Sequence, residues 1–160
     1  MVKVIDQWDW HSDSEDFPKD MPDKNGGNPI GYFMEYLYKN DFLPNSPNHA
    51  IEEYKKVKNG EVSGLDFLME NCDGKFWDVD TNEEGIKFTD YIYIDYSENI
   101  DDILGYSTYE HDYSAVDYKK VEKWLDGQFT IWSDNGRSAG KVSTKKNTSK
   151  KGFWNIFFKK

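Results

Sequence analysis

The sequence predicts a mainly α fold: a single compact domain of four to five helices with irregular acidic loops and a flexible C-terminal tail. Three observations carry this expectation. Apolar residues recur at three- and four-residue spacing in several segments. Ser, Asn, Gly and Pro residues punctuate those segments where helices start and stop. Aromatic residues make up 17% of the chain, supplying large core groups although only 37% of it is hydrophobic. A chain of 160 residues points to one domain, since a core of that size buries roughly 70% of the unfolded surface.

The opening stretch "DQWDWHSDSEDFPKDMP", residues 6–22, sets two tryptophans and a histidine among six acidic groups and reads as irregular. After the turn "PDKNGGNP", Asn28 is placed as an N-cap and Pro29 as the first helical residue. Ile30, Phe33, Met34 and Leu37 then form one buried face, with Glu35 and Lys39 opposite. The two prolines of "NDFLPNSPN" end that helix. Ile51, Tyr54 and Val57 mark a short, mostly exposed helix.

In "SGLDFLMENCDG", Ser63 caps at Asp66, and Leu65, Leu68, Met69 and Cys72 form a stripe that stops at Asp73-Gly74. Residues 82–96 alternate partly like a strand, but a capping box from Thr81 to Glu84 and the stripe Phe88, Tyr91, Ile92, Tyr96 favour a helix. Residues 97–114 read as an irregular connection with one helical turn. Ser114 and Asp117 cap the last helix, which carries Tyr118, Val121, Leu125 and Trp132 on one side and runs to about Trp132. The expected core includes Trp10, Phe17, Phe33, Leu37, Leu68, Trp124 and Leu125.

Charge divides the chain more sharply than the net −10 suggests. Residues 135–160 carry eight Lys or Arg and no acid, so residues 1–134 hold twelve basic against thirty acidic groups, a net −18. The division expected is an acidic helical domain, 1–134, and a basic flexible tail, 135–160, ending in the aromatic segment "GFWNIFFKK". An acidic body is repelled by nucleic-acid phosphates, so a basic partner protein is expected and direct nucleic-acid binding is not. One cysteine, the lack of a secretory apolar run and the lack of a membrane-spanning run point to the cytoplasm. The tail's lysines and rings also suit contact with an anionic membrane surface, or a fold-back onto the acidic body.

Asp78, Asp80 and Asn82 occupy the first, third and fifth places of a calcium loop, but Glu83 stands at the sixth and Thr89 at the twelfth, where Gly and Glu are needed. His11, His49 and His111 have no ligand spacing. His11 reads as a histidine bonded to a nearby carboxylate more readily than as a general base. Cys72 reads as a core thiol, and "NGGNPIG" lacks the Lys-Ser/Thr of a phosphate loop. No catalytic residue, metal site or cofactor is expected.

What remains is the mixture of rings and acids. Trp8, Asp9, Asp13, Glu15 and Asp16 in the first loop, and Tyr106, Tyr109, Glu110, Asp112 and Tyr113 in the second, are the expected partner contacts. Rings anchor interfaces, and acids steer basic partners toward them. The alternative from another class is a small metal-dependent hydrolase using His11, Asp13, Asp73, Asp78 and Asp80. A further alternative is a membrane-associated adaptor acting through residues 150–160.

Three segments together, "WDWH...DFPKDMP", "NPIGYFMEYL" and "CDGKFWDVDTNEEG", resemble a family of small, largely uncharacterised bacterial proteins. The shared pattern matches at Trp10, His11, Phe17, Pro18, Ile30, Gly31, Phe33, Cys72, Asp73, Gly74 and Lys75, over roughly residues 6–132. It departs at Asn28-Pro29, where a His is expected before Ile-Gly. In size, acidity and aromatic richness such proteins resemble immunity proteins that neutralise bacterial toxins. That resemblance implies a binding protein acting in the cytoplasm against a toxin domain, nucleases with basic clefts being one class, and it supplies no catalytic residues.

Overall fold

The computed structural model describes residues 2–45 and 50–137. The basic tail from 138 onward and His49 lie outside the described residues. In order, the chain forms β1 (Val4–Gln7), α1 (Trp8–Ser12), α2 (Asn28–Lys39), α3 (Ile51–Lys58), α4 (Gly64–Asn71), β2 (Lys75–Trp77), α5 (Glu83–Leu104) and α6 (Ala115–Asp134). Short 3₁₀ turns stand at Asp23–Gly27, Asp78–Asp80 and Thr108–Glu110. Five helices of eight residues or more, with the one-turn α1, make the mainly α domain the sequence predicts. Among the described residues, no helix is long and apolar enough to cross a membrane.

α2 is the central element, and its sequence explains why. It is apolar or aromatic nearly all round, so it is buried on every side from Asn28 to Tyr38. α4, α3, α6 and α5 cover it, and α5 also pairs with α6. Glu35, expected to face solvent, is therefore inside. Its Oε1 accepts from the Gly64 backbone N–H at 3.0 Å and from the Tyr113 hydroxyl at 2.6 Å, while Lys39 pairs with Oε2 at 2.8 Å. Gly64 is required at the crossing of α2 and α4, because a Cβ there would lie 2.0 Å from the Gly31 carbonyl oxygen.

The aromatic content is spent in this core. Phe33 meets Phe76, Tyr93 and Tyr96, while Phe88 meets Tyr36, Phe129 and Trp132. Phe17, Phe33, Leu37, Leu68 and Leu125 are buried as expected. Trp10 and Trp124, placed in the core from sequence, are only half-buried. Trp124 packs on the margin of the core, its ring beside Tyr96.

Caps at Ser63 and Ser114 are as expected, each accepting from the backbone N–H three residues on. Two others differ. Asn28 lies inside α2 rather than capping it, and its side chain turns to another segment. α5 is capped by Asn82, which accepts from Gly85, while the Thr81 hydroxyl donates to the Phe42 carbonyl at 2.6 Å. α5 also continues past residue 96 to Leu104. Ile100 and Leu104 extend its buried stripe, and Gly105, at φ 89°, ends it in the left-handed conformation.

β1 and β2 pair antiparallel, with an irregularity between Val4 and Asp6. In a regular strand, consecutive side chains point to opposite faces. The irregularity lets both Ile5 and Asp6 face inward, which places a carboxylate beneath α1. The "CDGK" motif is a tight turn: Lys75 N–H donates to the Cys72 carbonyl at 3.0 Å, with Asp73 and Gly74 both at positive φ. The Trp8 indole lies across Gly74, 2.0 Å from where a Cβ would be, so only glycine fits there.

Candidate interaction face

The two acidic loops singled out in the sequence are one structure. His11, on α1, points inward and is 1% exposed. Its Nε2 lies 2.9 Å from Asp6 Oδ2, and its Nδ1 lies 2.5 Å from the Tyr109 hydroxyl. A carboxylate only accepts, so Nε2 carries a proton toward Asp6, and Nδ1 shares a hydrogen bond with the Tyr109 hydroxyl. Asp6 also accepts from the Tyr93 hydroxyl at 2.7 Å and from the Gln7 N–H at 2.8 Å. Tyr93, Asp6, His11 and Tyr109 thus form one buried chain. Burial, and next Asp6, raise the phenols of Tyr93 and Tyr109 well above the ordinary range.

Two asparagines complete the seam. Asn25 Nδ2 donates to the Tyr109 carbonyl at 2.8 Å, and Asn28 Nδ2 donates to those of Thr108 and His111 at 2.9 Å. Gly26 allows the turn at Asp23–Gly27 to press on α1, since a Cβ would stand 2.7 Å from the Trp8 carbonyl oxygen. Phe17 adds a ring contact to Tyr109. Segments some 80 to 98 residues apart in sequence are therefore fastened side by side.

The carboxylates of the joined loops face outward. Asp13, Glu15, Asp16, Asp20, Asp23, Glu110 and Asp112 are exposed, and none takes part in an ion pair among the described residues. Asp9 is half-buried and accepts from the Gln7 amide. Lys19 and Lys24 are the cations of the same stretch.

The rings expected beside these acids are largely committed to the fold. Tyr109, 9% exposed, is inside rather than presented as an anchor, because its hydroxyl and backbone hold the seam. Tyr113 stacks on Tyr32 with centroids 4.1 Å apart and donates to Glu35. Tyr106 donates to Asp117, its ring lying against His111 and beneath Lys120. Trp8 covers Gly74 and, like Tyr106 and Tyr113, keeps part of its surface in solvent.

The residues of the hydrolase alternative are not brought together. The partner of His11 is Asp6, not Asp13, which is exposed. Asp73 sits in the tight turn, and Asp78 accepts from the Lys3 N–H at 3.2 Å. Asp80 is buried, accepting from the Tyr54 hydroxyl and the Trp77 N–H. Among the described residues no three His, Cys, Asp or Glu side chains are grouped as around a metal ion. Cys72 is buried and its thiol is pushed up, first by burial and then by Asp80, which keeps it protonated.

Asp6, Asn25, Asn28 and Glu35 were not legible as site-forming residues. The only hint was their polarity within or beside apolar runs. The arrangement defines a helical domain whose buried polar groups serve cohesion and whose outer loops display exposed acids that form no ion pair among the described residues. The chain belongs to the family described as Domain of unknown function (DUF7832), whose model matches residues 4–123, from β1 into α6. No curated protein and no solved structure matches it.

Proposed function

We propose that this domain is a binding protein that neutralises a toxin by docking its acidic face on a basic surface of the toxin domain. The observation that carries this reading is the set of seven exposed carboxylates, free of ion pairs among the described residues, on two loops locked together by a buried network. Unpaired like charges on a preorganised scaffold create a potential that draws in a cationic partner and limits the ordering cost on contact. Trp8, Tyr106 and Tyr113 contribute partly exposed rings at the margin. A nuclease with a basic substrate cleft suits such a face, the carboxylates standing where phosphates would. The reading places the protein in the cytoplasm with its target.

The test is expression of the neighbouring reading frame alone and together with this protein. Toxicity relieved only by co-expression supports the proposal. Replacing Asp13, Glu15 and Asp16 by Lys should abolish relief while leaving stability within about 0.5 kcal/mol, as for exposed sites in general. Undiminished relief by that variant refutes the role of the face.

A further inference from the structure

Beside the acidic face lies a cleft of about 380 Å³, between the turn at Asp23–Gly27, the start of α4 and the chain leading into α6. Its polar wall consists of Lys24, Asn25, Ser63, Asp66, Asp112 and Tyr113. Hydrogen-bonding capacity on this wall is unevenly committed. Ser63 Oγ accepts from the Asp66 N–H, and the Tyr113 hydroxyl donates to Glu35. Asp66 and Asp112 are exposed and in no ion pair among the described residues.

Asn25 is the unusual member, being 1% exposed. Its Nδ2 donates to the Tyr109 carbonyl, which fixes the amide orientation, and its Oδ1 has no hydrogen-bond partner among the described residues. A buried amide oxygen left without a donor calls for an explanation.

Lys24 and the Ser63 hydroxyl proton apart, what is uncommitted on this wall accepts hydrogen bonds. A complementary occupant is therefore cationic and rich in donors. A guanidinium offers five N–H groups in a planar fork and stacks on aromatic rings, whereas an ammonium is a point charge with three donors. The Tyr113 ring supplies such a wall, held by Tyr32 and Glu35. We infer that this cleft receives an arginine side chain of the partner protein, its guanidinium taken by Asp66 and Asp112 with Asn25 at the floor. This rests on the reading of a cationic partner and names the contact that fixes its register. Lys24 opposes the incoming charge and sets an upper limit on affinity.

The test uses the full chain, titrated with N-acetylarginine methylamide and, separately, with its uncharged citrulline counterpart, while amide NMR spectra are recorded. Saturable shifts centred on Asn25, Ser63 and Tyr113 with the arginine probe alone are expected. Asp66→Asn combined with Asp112→Asn should weaken the response at least about tenfold, as for loss of charge-assisted bonds. Lys24→Gln should strengthen it about threefold, by removing a like charge. An equal response to both probes overturns the inference, as do shifts that scatter without saturation over the acids of α3 and α5. If Asp13, Glu15 and Asp16 prove necessary for protection in cells while Asp66 and Asp112 do not, the cleft is overturned and the proposed function stands. An arginine response without any protection supports the cleft and removes the function.

Discussion

Titration toward alkaline pH is the sharpest perturbation of this fold. Tyr32, Tyr36, Tyr38, Tyr93, Tyr96, Tyr109 and Tyr118 are buried, and each phenol is raised above its ordinary value of 10.0, with burial as the leading cause. Nearby carboxylates add to this, Asp6 at Tyr93 and Tyr109 and Asp126 at Tyr36. Below about pH 10 both folded and unfolded chains hold these protons, and stability is unaffected. Above it the unfolded chain releases them while the folded chain keeps them, so stability falls as pH rises.

One unit above the ordinary value, each group costs about 1.4 kcal/mol. Seven together cost about 10 kcal/mol, against a total stability of roughly 5–15 kcal/mol for a domain. Cooperative unfolding is therefore expected between about pH 10.5 and 11.5. Phenolate absorbance and far-ultraviolet circular dichroism should change in one shared transition. If most of the eleven tyrosines titrate near pH 10 with helicity retained, or if helicity persists beyond about pH 12, the reasoning fails.

Three further outcomes follow from single sites. Tyr109→Phe keeps the ring against Phe17 but removes the hydroxyl bonded to His11 Nδ1, and urea unfolding should show a loss of about 1–3 kcal/mol. Gly64→Ala drives a methyl into the Gly31 carbonyl and toward the Tyr113 hydroxyl, and should lower stability at the upper end of roughly 1–3 kcal/mol, read in the same assay. Cys72 should resist iodoacetamide in the native protein and react promptly once urea unfolds it, with mass spectrometry as the readout.

The helices were legible where a stripe and a cap coincided. Ser63 with Leu65 and Leu68, and Ser114 with Tyr118, Val121 and Leu125, each carry both signals, and both were placed correctly. The apolar pattern predicts an end to α5 at residue 96, where Ser97 and Asn99 interrupt it, although Ile100, Leu104 and Gly105 continue and close the helix. The pattern makes α2 one-sided, since Glu35 and Lys39 lie opposite the Ile30 stripe. A helix buried on every side can hold a carboxylate only if donors from elsewhere meet it, and Gly64 and Tyr113 are distant in sequence.

The same limit hid the site. His11 finds a carboxylate, but it is Asp6, turned inward at the irregular end of β1, and not Asp13, which is nearer in sequence. Of the acids expected as partner contacts, Asp13, Glu15, Asp16, Glu110 and Asp112 are exposed, whereas Asp9 is half-buried against Gln7. For the tyrosines among them, alternation of ring and acid does not reveal which hydroxyls have distant partners.

The seam between α1 and the turn at Thr108–Glu110 has a consequence for biosynthesis. Residues 8–28 cannot take their final arrangement until the chain through residue 111 is available to supply Tyr109 and the carbonyls that Asn25 and Asn28 bind. The display of acid thus depends on long-range contacts, and it vanishes with global unfolding rather than surviving as a local peptide. A partner that recognises it discriminates finished molecules from nascent ones and, by mass action, holds them in the folded state.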